Sequence, residues 1–391
     1  MRHTVNTATI ASSVPAADPA HRVRRHRLRV TEVRHLTVDT VAVTLDVPDA
    51  LRTVFTHRPG QHVTVRRPEA GTEPPRSYSI SPPPNAPDRL RLVIRRGSPD
   101  GFGVHAATRL TPGDHLELSP PTGAFALPEL PGAHHVLIAG GSGITPLAPM
   151  AAHALRHDPA CRVTLVHSVP TSADALLADE LAELKDEFVD RFTVLHVLTR
   201  EDRGRGSDGP LARRLDAAGL GRLLTALDAG PGTTYALCGP PGLVDTVRGV
   251  LADRGADPAL VRRELFTAAG TASRPTEAPG GAVRAPRSPR ASGRAPEAPS
   301  ARVTALLDGR RRDAAVLPGD TVLLDALLRA HPDVPYACRE GVCGSCRARV
   351  VAGQVAADRQ YALDDRDRAA GYTLVCRARP RSPEIALDFD T

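Results

Sequence analysis

Cys338, Cys343, Cys346 and Cys376 form a C-x4-C-x2-C run followed at a distance by a fourth cysteine. That spacing is the ligand pattern of a plant-type [2Fe–2S] cluster. Three thiolates come from one loop, Tyr336-Ala-Cys-Arg-Glu-Gly-Val-Cys-Gly-Ser-Cys346. Gly341, Gly344 and Ser345 leave room for a loop to close tightly on a small inorganic group. Cys376 closes the cage from a strand-like run, Tyr372-Thr-Leu-Val-Cys376. A cluster of this kind carries one electron at a time, at roughly −400 mV. A zinc knuckle fits less well, because only one C-x2-C is present. Disulfides would need an exported chain, and the N-terminus shows no basic region followed by an apolar stretch.

Two further motifs suit nucleotides. Arg76-Ser-Tyr78-Ser79 lies in a strand-like segment. An arginine there can fork onto a pyrophosphate, the tyrosine can lie against a planar ring, and the serine can hydrogen-bond a ring nitrogen. An ordinary strand with an exposed arginine is the plain alternative. Gly140-Gly141-Ser142-Gly143-Ile144-Thr145-Pro146 follows an apolar strand and opens a helix, with Thr145 expected as N-cap and Pro146 at the first helical position. Such a turn offers free amides and a positive helix end to a phosphate, or is only a tight strand–helix turn. Cys238-Gly239-Pro-Pro-Gly242 repeats the arrangement later in the chain. Ligands of open α/β sheets bind at such strand ends, so Cys238 either touches a nicotinamide or is a buried small residue.

The elements that must position these residues divide the 391 residues into five segments. Residues 1–26 read as a disordered leader. Residues 27–130 hold short alternating runs between turn signals, such as Val41–Leu45, His62–Val65, Arg89–Ile94 and His115–Leu118, which predict a small antiparallel β-barrel. Residues 131–266 alternate strands with helices and predict a parallel α/β sheet covered on both faces. The expected strands are 135–139, 162–166, 191–198 and 234–237, with helices from Thr145, over 173–187, near Leu211 and over 243–253. Residues 267–300 are Pro, Ala, Gly, Ser and Arg and read as a linker. Residues 301–391 carry the cysteines in an α+β, β-grasp-like domain, with a hairpin at Asp308-Gly309 and a helix over 321–330.

Charge excludes one class. The net charge is +6, but the leader and linker supply the excess. Residues 1–30 hold six Arg and one Asp (+5), and 267–300 hold five Arg and two Glu (+3), which leaves −2 for the rest. No folded basic face for nucleic acid is therefore expected. No apolar run has the length of a membrane span, and a cytoplasmic location is expected. Lys185 is the only lysine.

Taken in order, R-x-Y-S, G-G-S-G-I-T-P, C-G-P-P, Glu264-x-Phe266 and the four-cysteine domain resemble the ferredoxin–NADP reductase superfamily. More narrowly, the layout is similar to reductase components of bacterial oxygenases with a ferredoxin domain fused at the C-terminus. The resemblance implies that Arg76, Tyr78, Ser79, Ile80 and Gly103 bind a flavin. It implies that Gly140, Gly141, Gly143, Thr145, Thr199, Arg200, Cys238 and Gly239 form the nicotinamide-cofactor site. Phe266 would flank the flavin, and Ser79, Cys238 and Glu264 would be the catalytic group. Ser142, where FMN-binding relatives tend to carry Ile, favours FAD. Thr199-Arg200-Glu201 matches a 2′-phosphate motif of NADPH-dependent relatives, with Arg203 and Arg205 adding to it, although position 170 lacks an arginine common among them. The flavin-phosphate segment near Gly101–His105 also lacks the usual serine. The implied path runs from NAD(P)H through FAD and the [2Fe–2S] centre to a terminal oxygenase, di-iron hydroxylase or cytochrome P450. The alternative is a redox-sensing or regulatory protein with the same cofactors.

Overall fold

The computed structural model describes residues 25–67, 75–83, 85–86, 88–97, 101–201, 214–266, 300–332, 334–336, 339, 341, 344–358, 360–363 and 365–391. The leader up to residue 24, the linker over 267–299, Arg203, Arg205, Cys338, Cys343 and the helix expected near Leu211 lie outside the described residues.

The first region contains β1 (His26–Thr37), β2 (Thr40–Asp46), β3 (His62–Arg66), β4 (Arg76–Ser79), β5 (Leu90–Arg95), α1 (Phe102–Thr108) and β6 (His115–Leu118). The strands form one antiparallel sheet in the order β4-β3-β6-β1-β2-β5. An Ile80–Leu92 bridge joins its two ends, so the sheet curls into a barrel around Leu28, Val43, Val63, Leu92 and Leu116. Helix α1 occupies the flavin-phosphate segment near Gly101–His105. Its Gly103 presses on β5, where any Cβ would collide with the Arg95 carbonyl oxygen.

The second region contains β7 (His134–Gly140), α2 (Ile144–His157), β8 (Arg162–Val169), α3 (Ala178–Glu187), β9 (Phe192–Leu198), α4 (Ala217–Ala226), β10 (Thr234–Gly239), α5 (Pro241–Asp253) and β11 (Val261–Leu265). All neighbouring strands are parallel, in the order β11-β10-β7-β8-β9. Alternate residues of β7 serve opposite faces, as strand geometry requires. Leu137 and Ala139 pack with α2 and α3, while Val136 and Ile138 pack with α4 and α5.

Helix starts differ from expectation, and α5 begins at Pro241 rather than 243. Gly143, not Thr145, is the N-cap of α2, because a 3-10 turn over Gly141–Gly143 winds straight into the helix. Thr145 sits inside the first turn and donates Oγ1 to the Ser142 carbonyl oxygen at 3.0 Å. Helix α3 begins at Ala178 rather than 173, because Leu177 takes the left-handed conformation (φ 57°) and breaks the run. Lys185 lies in its last turn and donates to the Val189 carbonyl.

The third region contains β12 (Ala301–Leu307), β13 (Arg310–Val316), α6 (Leu323–Ala330), β14 (Arg347–Ala352), β15 (Val355–Ala357), α7 (Asp365–Ala369), β16 (Tyr372–Leu374), β17 (Ala378–Pro380) and β18 (Glu384–Asp388). A mixed sheet, β13-β12-β18-β14-β16, wraps against α6. The helix starts at Leu323, since Thr321 Oγ1 and the Val322 amide instead donate to Asp325. Cys376 lies just past β16 rather than in a strand.

Candidate functional site at the seam of barrel and sheet

The parallel sheet changes winding direction between β7 and β10, and the two glycine-rich turns leave it at that point. Switch points of this kind open a ligand crevice at the carboxyl ends of the strands. The turns touch. A Cβ on Gly143 would collide with the Cys238 carbonyl oxygen, and one on Gly239 would lie 2.9 Å from Gly140 Cα. Gly140 and Gly143 therefore serve loop-to-loop packing, while Gly141 takes φ 54°, a left-handed turn natural to glycine. His167 of β8 is fully buried and shares a 2.9 Å hydrogen bond between Nε2 and the Gly141 carbonyl, which fixes the turn. Burial lowers the His167 pKa to about 4, so the ring is neutral and Nε2–H is the donor.

The barrel faces the same crevice. Ser79 pairs with His62 across β3 and β4, so both side chains share one face. Ser79 is buried, and neither its Oγ nor that of Ser77 has a hydrogen-bond partner among the described residues. His62 Nδ1 lies 3.8 Å from Glu264 Oε1, a contact that crosses from barrel to sheet. Gly123 leaves that ring its space, since a Cβ there would sit 3.0 Å from His62 Nδ1. Glu264 in turn sits beside Cys238 in the β10–β11 register. Burial pushes the Glu264 carboxyl up to about 8. Burial, and then the Glu264 charge, push the Cys238 thiol well above its ordinary range. The thiol at this seam is therefore a protonated, apolar wall at neutral pH. Phe266 follows, its amide donating to the Gly239 carbonyl at 3.0 Å.

The structure thus gathers Ser79, Cys238, Glu264 and the glycine turns at one seam. Tyr78 lies on the opposite face of β4 from Ser79, with its ring 5.8 Å from that of Phe102. Thr199 and Arg200 stand further off, at the ends of β8 and β9, with amides bonded to Val169 and Pro170. Glu201 is engaged there, accepting from the Ser172 amide at 2.6 Å. Sequence reasoning missed His62 and Arg95. The Arg95 guanidinium reaches to 3.9 Å from where a Gly141 Cβ would lie, and Asp39 holds its Nε at 2.7 Å. Alternation along β5 places Arg95 on the outer face, but only the fold shows what that face meets.

In the third region Cys346 and Cys376 flank the paired ends of β14 and β16. Both are buried, and the Cys376 amide lies 3.5 Å from Cys346 Sγ. The chain around them turns through positive φ at Arg339, Gly341 and Gly344. No three His, Cys, Asp or Glu side chains converge on a metal position among the described residues, with Cys338 and Cys343 outside them.

Comparison with known proteins accounts for all three regions. Family models match residues 27–127 as an oxidoreductase FAD-binding domain, 137–249 as an oxidoreductase NAD-binding domain and 306–381 as a 2Fe-2S iron-sulfur cluster binding domain. The chain is 31% identical to a component of 1,2-phenylacetyl-CoA epoxidase from Escherichia coli (strain K12), over 93% of this chain and 98% of that one. It is 32% identical to the ferredoxin reductase component of 3-ketosteroid-9-alpha-monooxygenase from Rhodococcus rhodochrous, over 94% and 98% respectively. It belongs to the family of oxygenase reductase components. The solved phthalate dioxygenase reductase shares the fold, with a TM-score of 0.54 at 22% identity over 93% of this chain and 98% of that one.

As an oxygenase-type reductase the chain is an electron-transfer oxidoreductase with FAD, NAD and [2Fe–2S] domains. The residues present fit these groups. Buried serine hydroxyls at Ser77 and Ser79, without a partner among the described residues, suit the polar edge of a flavin, and a buried hydroxyl is costly without a bond. Glu264 Oε2 is likewise buried without a partner among the described residues. Buried Cys346 at the end of a glycine-bent loop, with the buried Cys376 backbone against its sulfur, suits an iron–sulfur cluster. No helix of the described residues is long and apolar enough to cross a membrane.

Proposed function

We propose that this reductase takes electrons from NAD(P)H at the seam and delivers them, through the cysteine domain, to a terminal oxygenase, a di-iron hydroxylase or a cytochrome P450. The observation that carries the reading is the meeting of Ser79 and His62 from the barrel with Cys238 and Glu264 from the sheet. When bound, a flavin would supply the exchange between a two-electron hydride donor and a one-electron cluster. Arg76 would serve the flavin phosphate and Ser79 and Phe266 the ring system, with Tyr78 on the opposite face of β4 and Ile80 supporting the strand from the barrel core. Gly141 and the α2 N-terminus receive the nucleotide pyrophosphate, and Thr199 and Arg200 serve its far end. The neutral Glu264 keeps a proton inside the crevice, and Cys238 and Phe266 exclude water beside it. Cys338, Cys343, Cys346 and Cys376 hold the cluster.

The division at 27–130, 131–266 and 301–391 is supported by distinct apolar cores around Leu92, Ile138 and Leu327, although Val93 and Phe125 of the first segment join a further core of the second. A cytoplasmic setting is supported by Cys161 and Cys238, neither of which is in a disulfide among the described residues. The test is an anaerobic titration of the holoprotein with NADH and with NADPH. Bleaching of a flavin band with loss of an iron–sulfur band is expected, and the better donor names the nucleotide. A protein that neither donor reduces overturns the reading.

A further inference from the structure

Strand β5 has two faces with different duties. Leu90, Leu92 and Ile94 point into the barrel core. Arg91, Val93 and Arg95 alternate with them, yet only Arg95 has its side chain half in solvent. Val93 joins the core built by α2 and α3 of the nucleotide sheet, and Arg95 reaches the Gly141 turn. The outer face of β5 is thus the barrel's wall of the seam.

Arg91 is a charged side chain buried in this wall, 3% exposed. Its Nη1 and Nη2 donate to both carboxylate oxygens of Glu180, at 2.6 and 2.8 Å. Its Nε donates to the Ser81 carbonyl at 2.6 Å. Arg34 of β1 approaches the same carboxylate at 3.5 Å. Glu180 lies in α3, whose Leu181 and Leu184 are buried against the sheet. Ser81 stands two residues beyond Ser79. A planar guanidinium that uses all three nitrogens in fixed directions is a rigid strut. Here it runs from the flavin-facing strand to a helix of the nucleotide sheet.

We propose that the Arg91–Glu180 pair is a latch that sets the approach of the nucleotide sheet to the Ser79 strand, which makes both residues positioning residues for hydride transfer. The inference rests on the reading that hydride crosses at this seam. Neither residue is among those proposed to hold a cofactor, so the latch acts through geometry alone. Transfer between two bound rings is steep in distance, and a misplacement of about 1 Å from a remote change can cost roughly a hundredfold. The apolar seam around Val93, Phe125 and Met150 holds the two parts together without fixing their angle. Apolar contact is non-directional, whereas a bidentate pair is not.

The test uses the full holoprotein and two variants. Glu180→Gln keeps the shape and removes the charge. Arg91→Met with Glu180→Leu replaces the pair by apolar groups, an exchange that buried pairs often tolerate in stability. Anaerobic stopped-flow reduction by the better nucleotide gives a limiting rate and a nucleotide Kd, and ferricyanide reoxidation of the prereduced protein is the control. The limiting rate should fall about ten- to a hundredfold. Nucleotide Kd, flavin content and ferricyanide reoxidation should stay within about twofold. The isotope effect from a donor deuterated at the transferred position should rise as transfer becomes the slow step, which loss of stability alone would not produce. A limiting rate within twofold of the unaltered protein in both folded variants overturns the latch. So does loss of flavin from both, which would assign the pair to barrel folding. If the unaltered protein is not reduced at all, the seam reading fails instead.

Discussion

Glu264 owes its raised pKa to a position where the fold offers its carboxyl almost no water. With a folded pKa of about 8, raised by burial, the carboxyl holds its proton in the fold while the unfolded chain releases it in the ordinary carboxylate range. The stability tied to this group is complete below that range and is lost as pH rises through about 8. The thermal midpoint should therefore decline from pH 5 to pH 9, and Glu264→Gln should flatten the decline. Parallel melts of both proteins across that range check it; equal slopes would remove Glu264 from the account. At the other centre, Cys346→Ser removes one of two neighbouring buried thiols. The purified variant should lose its bound iron and sulfide yet keep flavin reduction by NAD(P)H, as read by iron analysis and single-turnover spectra. The sequence points to these cysteines through spacing, and the match to a 2Fe-2S domain over 306–381 agrees with that domain type. It did not disclose His62 or Arg91, whose partners Glu264 and Glu180 lie far along the chain and meet them only through the seam.

Elements with a strong period were legible, and those made by turns were not. The run His135-Val-Leu-Ile-Ala139 marks a strand buried on both faces, and β7 forms there. Helix α1 escaped because seven residues containing Gly103 carry too little helical preference to signal one. The start of α2 was misplaced because Thr145 and Pro146 look like a cap, while the glycine turn before them already winds as a helix. That turn supports a paired prediction. Gly143→Ala drives a methyl into the Cys238 carbonyl, backbone against backbone, and should cost about 3 kcal/mol. It should weaken nucleotide binding as well. Gly242→Ala, in the first turn of α5 with nothing within 4 Å of the new methyl, should be neutral or stabilise by up to about 1 kcal/mol. Denaturant melts and nucleotide titrations of the two variants separate these outcomes. Similar losses in both would mean that the contact between the two glycine turns is not what matters.

At the scale of the whole molecule, the barrel and the nucleotide sheet share a core, since Val93 and Phe125 of one pack among Leu147 and Met150 of the other. Gly60 lets Phe125 reach that core, because a Cβ there would lie 1.9 Å from the Phe125 carbonyl oxygen, with Met150 Cε beyond it at 2.3 Å. The division into a barrel, a parallel sheet and a cysteine domain was readable from pattern, but the shared core was not, since strand alternation does not say what an outer face meets. Charge is balanced over the cysteine domain, with 14 Arg against 13 Asp plus Glu in residues 301–391. Long-range steering of an acceptor should therefore be weak. Acceptor reduction rates between about 50 and 300 mM salt should vary by less than about threefold, and a steep decline would reveal a local field that this balance conceals. The single lysine has a practical consequence of its own. A lysine-specific protease has one target in this polypeptide, after Lys185, in the last turn of the helix that carries Glu180. Hydrogen-bonded helical backbone is a poor substrate, so the appearance of two fragments, 1–185 and 186–391, would time the opening of that helix without any added label.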